Sequence, residues 1–91
     1  MGKKEDVLGF LNKEVFDPIL NSTKASVLLK QAIRTSLMRM NGKDAEAIVD
    51  YYLSHMIGNE KPTKFAELMK SEGFTRFEEI DGEFREKFGP K

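Results

Sequence analysis

Seven glycines and three prolines punctuate this 91-residue chain, and the longer stretches between them carry apolar residues three and four positions apart. That spacing repeats once per helical turn, so each stretch reads as a helix with one buried face. Strand-like alternation is missing, and β-branched residues are few and scattered. The expectation is an all-α fold: a compact bundle of four or five short helices joined by short loops containing Gly and Pro, with residues 1–91 forming a single helical domain.

The first helix is expected from about Lys3 to Phe16, with Leu8, Leu11, Val15 and Ile19 on one face. Pro18 lacks an amide donor and disfavours helical geometry at Asp17, so the helix either kinks there or restarts with Asp17 as a cap. A second helix starts near Ser22 or Thr23 and closes at Asn41-Gly42, with Gly42 in the left-handed conformation. Ala25, Leu29, Ala32, Ile33, Ser36 and Met40 form its inner stripe, flanked by Leu28 and Leu37. The third, from about Asp44 to Ile57, buries Ala45, Ile48, Val49, Tyr52, Leu53 and Met56 and stops at Gly58, before the loop through Asn59, Glu60, Lys61 and Pro62. Thr63 is expected to cap a fourth helix burying Phe65, Leu68 and Met69. That helix ends at Gly73, with Phe74 folding back on its last turn. Thr75-Arg76-Phe77-Glu78 has the form of a capping box for a fifth helix carrying Phe77, Ile80, Phe84 and Phe88, ended by Gly89-Pro90.

Chemistry has little to work with in this composition. There is no cysteine, hence no disulfide framework and no thiolate; with one histidine, a zinc site is not expected, nor is any other metal or cofactor. His55 follows Tyr51 by four residues, but no nucleophile accompanies the pair, so the reading is a boundary histidine and not a catalytic base. The acidic run around Gly82 fails as a calcium loop, because the first and last ligand positions would be Phe77 and Phe88. No phosphate-cradling glycine loop occurs. No run is apolar and long enough to cross a membrane, and the N-terminal residues lack the apolar core of a signal peptide, so a cytoplasmic chain that is not an enzyme is expected.

Charge is the one property sorted along the chain. No acid occurs between Asp17 and Asp44, while Lys24, Lys30, Arg34, Arg39 and Lys43 do. Residues 1–43 hold eight cations and four acids, and residues 44–91 hold seven cations and eleven acids, so the halves cancel to a net charge of zero. On a helical wheel Lys24, Lys30 and Arg34 fall on the outer side with Val27, Gln31 and Met38, a mixture of apolar anchors and charge that suits protein contact. Glu78, Glu79, Glu83 and Glu86, on the outer side of the last helix, are the expected acidic counterpart, whether in a second copy or in a helical partner. The alternative is a weak nucleic-acid-binding or transcription-associated domain using Lys24, Lys30 and Arg34 on phosphates. In a helix-turn-helix, however, the reading helix would present Asp44, Glu46, Asp50 and Ser54, and the acids repel phosphate. The primary expectation is therefore a small non-catalytic interaction or regulatory module, self-associating through the outer face of the second helix.

Overall fold

A computed structural model describes residues 3–58 and 61–89. Among them helices and turns occur and no strand, in the order α1 (Lys3–Leu11), a π segment (Asn12–Phe16), α2 (Asp17–Leu20), α3 (Val27–Asn41), α4 (Ala45–Tyr51), a second π segment (Tyr52–Ile57), α5 (Lys64–Ser71), α6 (Arg76–Glu79) and α7 (Asp81–Phe88). The helical runs are thus 3–20, 27–41, 45–57, 64–71 and 76–88, the last with a bend at Ile80. No helix among the described residues is long and apolar enough to cross a membrane.

The first helix does not stop at Phe16. Asp17 stays helical at φ −60° and ψ −43°, and its amide donates to the Asn12 carbonyl five residues back. Pro18 offers no donor and crowds the carbonyl four residues before it. The wider π turn relieves that crowding, and the helix passes through Pro18 to Leu20. The same widening brings Val15 and Phe16 both inward, so the run buries Val7, Leu11, Val15, Phe16 and Ile19, with Leu8 only half-buried.

The start of the second helix is also corrected. Ser26, not Ser22 or Thr23, is the N-cap of α3, and its hydroxyl accepts from the Leu29 amide at 3.1 Å. Glu72 at the end of α5 reaches across: one carboxylate oxygen accepts from the Ser26 amide at 2.7 Å and the other from its hydroxyl at 2.6 Å. Two helix ends are thereby tied together by a carboxylate 46 residues away. Gly42 is likewise not left-handed; its φ is −91°.

Other ends match their sequence signals. Asp44 caps α4 through the Ala47 amide at 2.9 Å, and Thr63 caps α5 through the Ala66 amide at 3.1 Å. At Gly73 (φ 90°) the Phe74 amide donates to the Met69 carbonyl and the Gly73 amide to the Lys70 carbonyl, the paired bonds of a Schellman motif. The capping box at Thr75 does not form: the Thr75 side chain caps nothing, and Glu78 turns to Lys70 at 3.6 Å. Asn59 and Glu60 of the expected loop, and Pro90, lie outside the described residues.

The core joins α1, α4 and the second π segment around Leu11, Phe16, Ile48, Tyr52 and Met56, closed from the other side by Phe77, Ile80 and Phe84. Phe84 is the aromatic hub, with ring centroids 4.8 Å from Tyr52, 5.4 Å from Phe88 and 5.9 Å from Phe10. The radius of gyration, 12.3 Å, is close to the ~12 Å of a close-packed chain of this length.

Two consequences concern pH. Hydrogen bonds from the Ser26 hydroxyl and amide hold the Glu72 carboxyl below its ordinary value of 4.5. A depressed acid contributes stability that is present above pH 4.5 and lost as pH falls through its folded value. Acid titration of thermal unfolding should show this loss, and Glu72→Gln should remove that part of it. An acid limb unchanged by Glu72→Gln would disprove the assignment.

The Tyr52 hydroxyl is fully buried and has no hydrogen-bond partner among the described residues. Burial, followed by the nearby Asp81 charge, pushes its ionisation well above the ordinary 10.0. Its contribution is complete below pH 10 and lost as pH rises through the folded value, because the unfolded chain ionises first. Tyr52→Phe is expected to gain about 1 kcal/mol at neutral pH, by deleting an unpaired buried hydroxyl, and to flatten the alkaline limb. Urea titrations at neutral and alkaline pH would measure both.

Candidate functional site

α3 packs one face against α2, α4 and α5. Leu29, Ile33, Ser36 and Met40 are buried there, spaced four, three and four residues apart along one narrow stripe. Everything opposite that stripe is left outward. Val27 is 70% exposed, Met38 78% and Leu28 64%. Leu28 was expected to flank the buried stripe, but it lies 100° from Leu29 and the packing does not reach it.

Of the expected contact residues, Val27, Gln31, Arg34 and Met38 form one line down the outer face, with Lys30 half-buried at its edge. Lys24 is not on the helix. It lies in the loop before Ser26, where its amide donates to the Ser22 hydroxyl at 3.0 Å, because the helix starts at Val27 and not earlier. Among the described residues Lys24, Lys30, Arg34 and Arg39 have no ion pair. Lys43 stands over the Tyr51 ring at 5.5 Å.

The acidic face is arranged differently. Glu78, Glu79, Glu83 and Glu86 are all exposed on α6 and α7. Three of them are engaged within the chain: Glu78 with Lys70 at 3.6 Å, Glu79 with Arg76 at 3.2 Å and Glu83 with Lys87 at 3.2 Å. Arg76 also bonds Glu14 on the first π segment through its Nε at 3.1 Å, tying α6 to the first helical run. Exposed pairs of this kind are weak, but they reduce the field an external cation would feel.

Tyr51 and His55 stack as parallel rings, with centroids 5.1 Å apart, and His55 is exposed. Neither residue stands in the wall of either of two surface grooves. One of these, about 450 Å³, has Ile57, Ala66 and Phe77 in its wall, and the Lys70–Glu78 and Asp81–Arg85 ion pairs among its charged lining. The other, about 650 Å³, runs between Val7, Val49, Leu53 and Phe88. Among the described residues no group of three or more His, Cys, Asp or Glu side chains is placed to hold a metal ion.

No family model, curated protein or solved structure matches this chain.

Proposed function

We propose that this chain is a small non-catalytic interaction module that meets another protein surface through the outer face of α3. One observation carries the reading: Val27, Leu28 and Met38 are exposed on a helix whose cations have no ion pair among the described residues. Single exposed apolar residues are ordinary on any protein, but these share the outer side of one helix among cations, the composition of a contact patch. Met38 adds an adaptable side chain suited to an apolar contact. A cytoplasmic location, expected of a chain without cysteine, belongs to the same proposal.

The nucleic-acid reading draws on the same unpaired cations. Two features weigh against it: α3 has no aromatic residue on which a base could stack, and α4 exposes Glu46 and Asp50. It predicts binding that falls steeply with salt and disappears in Lys30→Glu/Arg34→Glu.

The test is capture from native extract with tagged wild type and with Val27→Glu/Met38→Glu, both checked for helicity by circular dichroism. Wild type should retain a protein, a tagged or untagged second copy included, that the double variant loses by about tenfold or more. Equal capture by both, or none by either, would sink the reading.

A further inference from the structure

The chain has one Asn-Gly step, Asn41-Gly42, at the end of α3, and both residues are exposed. Such a step carries a reaction of its own. The Gly42 amide nitrogen, once deprotonated by hydroxide, attacks the Asn41 side-chain carbon Cγ and closes a succinimide ring. The new N–Cγ bond replaces the Cγ–Nδ2 bond. The departing nitrogen takes a proton from water and leaves as ammonia, which restores the hydroxide. Water then opens the ring at either carbonyl, giving an aspartyl or an isoaspartyl residue. Water is the sole co-reactant.

Three features favour the step here. Glycine has no side chain to crowd the approach, and a Cβ built on Gly42 would meet nothing within 4 Å. Asn41 is the last residue of α3, where fraying costs least and releases the side chain from helical geometry. Finally, the Lys4 ammonium on α1 donates to the Asn41 carbonyl oxygen at 2.6 Å. That oxygen shares the negative charge when the Gly42 amide loses its proton, so the cation stabilises the nucleophile as it forms. The flexible lysine stem lets the ammonium follow the carbonyl as the helix end frays. The neighbouring charges are engaged elsewhere: Lys43 stands over the Tyr51 ring at 5.5 Å, and Asp44 accepts from the Ala47 amide at 2.9 Å.

Asn12 and Asn21 lack this combination. Asn12 is half-buried inside the first π segment. Asn21 is exposed, but the next residue is Ser22, whose side chain crowds the approach and whose amide donates to the Ile19 carbonyl at 3.0 Å.

We propose that Asn41 is a site of spontaneous deamidation, promoted by the Lys4 ammonium. The product puts an acid into the stretch between Asp17 and Asp44 and takes the chain's net charge of zero down by one. It lies three residues from Met38 on the same helix, at the end where the helix dipole disfavours negative charge. The isoaspartyl form also lengthens the main chain between α3 and the Asp44 cap by one methylene. The site therefore alters the end of α3 with time, whatever that helix meets.

Incubation of the full chain at neutral and mildly alkaline pH tests the site. Ion exchange separates the more acidic form, and mass spectrometry of proteolytic fragments locates it. Wild type should convert at Asn41, faster as hydroxide rises and at least about fivefold faster than at Asn21. Gly42→Ala should slow conversion by about fivefold. That variant keeps the fold, because φ is −91° at Gly42 and the space around it is open, and circular dichroism checks this. Lys4→Met, which removes the charge at similar length, should slow conversion by about fivefold, and Lys4→Arg should keep the wild-type rate. Conversion at Asn41 no faster than at Asn21, or undiminished in Gly42→Ala, overturns the site. Lys4→Met that converts as fast as wild type, or faster, overturns the role of Lys4, since a tie that only restrains the helix end would slow the reaction.

Discussion

Gly58→Ala should destabilise the protein by about 3 kcal/mol or more, lowering the melting temperature by at least roughly 12 °C. Gly58 has φ 81° and ψ 140°, a conformation that L side chains rarely adopt. A methyl group there also has nowhere to go. Its Cβ would lie 1.9 Å from the Lys61 carbonyl oxygen and 3.3 Å from the Thr63 amide nitrogen, both backbone atoms. Relief requires moving the strand of chain that carries Thr63, whose hydroxyl donates to the Met56 carbonyl and accepts from the Ala66 amide. The substitution therefore loosens the second π segment and the start of α5 together. Gly73→Ala is the control, since Gly73 has φ 90° but open space around a built Cβ. It should cost only the backbone penalty of about 1 kcal/mol. Thermal unfolding of the two variants separates clash from dihedral strain, and equal losses would refute the clash.

Phe84→Ala should cost about 3–5 kcal/mol. A domain of this length has roughly 5–14 kcal/mol in total, so this variant approaches the limit of folding at the low end of that range. Phe84 is fully buried and its ring joins α7 to Tyr52 and Phe10, on the second π segment and α1. Removing it opens a cavity at the seam between the last helix and the rest of the core. Phe88→Ala, at the half-buried edge of the same cluster, should cost about half as much or less. Urea unfolding measures both; a reduced midpoint with an unchanged slope is expected, and a Phe84→Ala loss under about 1 kcal/mol would contradict the hub assignment.

Much of the fold was readable wherever the physics is local. Thr63 as a cap, Asp44 at the start of α4, the Gly73-Phe74 stop and the stripe of Phe77, Ile80 and Phe84 each depend on residues within a turn or two of one another. The misreadings involve partners distant in sequence. Ser26 competes successfully with Ser22 and Thr23 because Glu72 supports it. Thr75-Glu78 fails as a capping box while Glu78 has Lys70 within reach. Pro18 reads in the sequence as a kink or a restart because the α-helical register crowds it, and a π turn admits it with Asp17 still helical.

The same division holds for the candidate surface. Sequence alone determined the all-α class, the helical periods and the absence of acid between Asp17 and Asp44, because propensity, spacing and charge are properties of the chain as written. Only tertiary structure decided that Lys24 leaves the helix, that Leu28 joins Val27 and Met38 outside, and that the acids of α6 and α7 are largely engaged from within. Burial and ion pairing depend on what arrives from elsewhere in the chain, and no local pattern specifies which side of a helix its neighbours will reach.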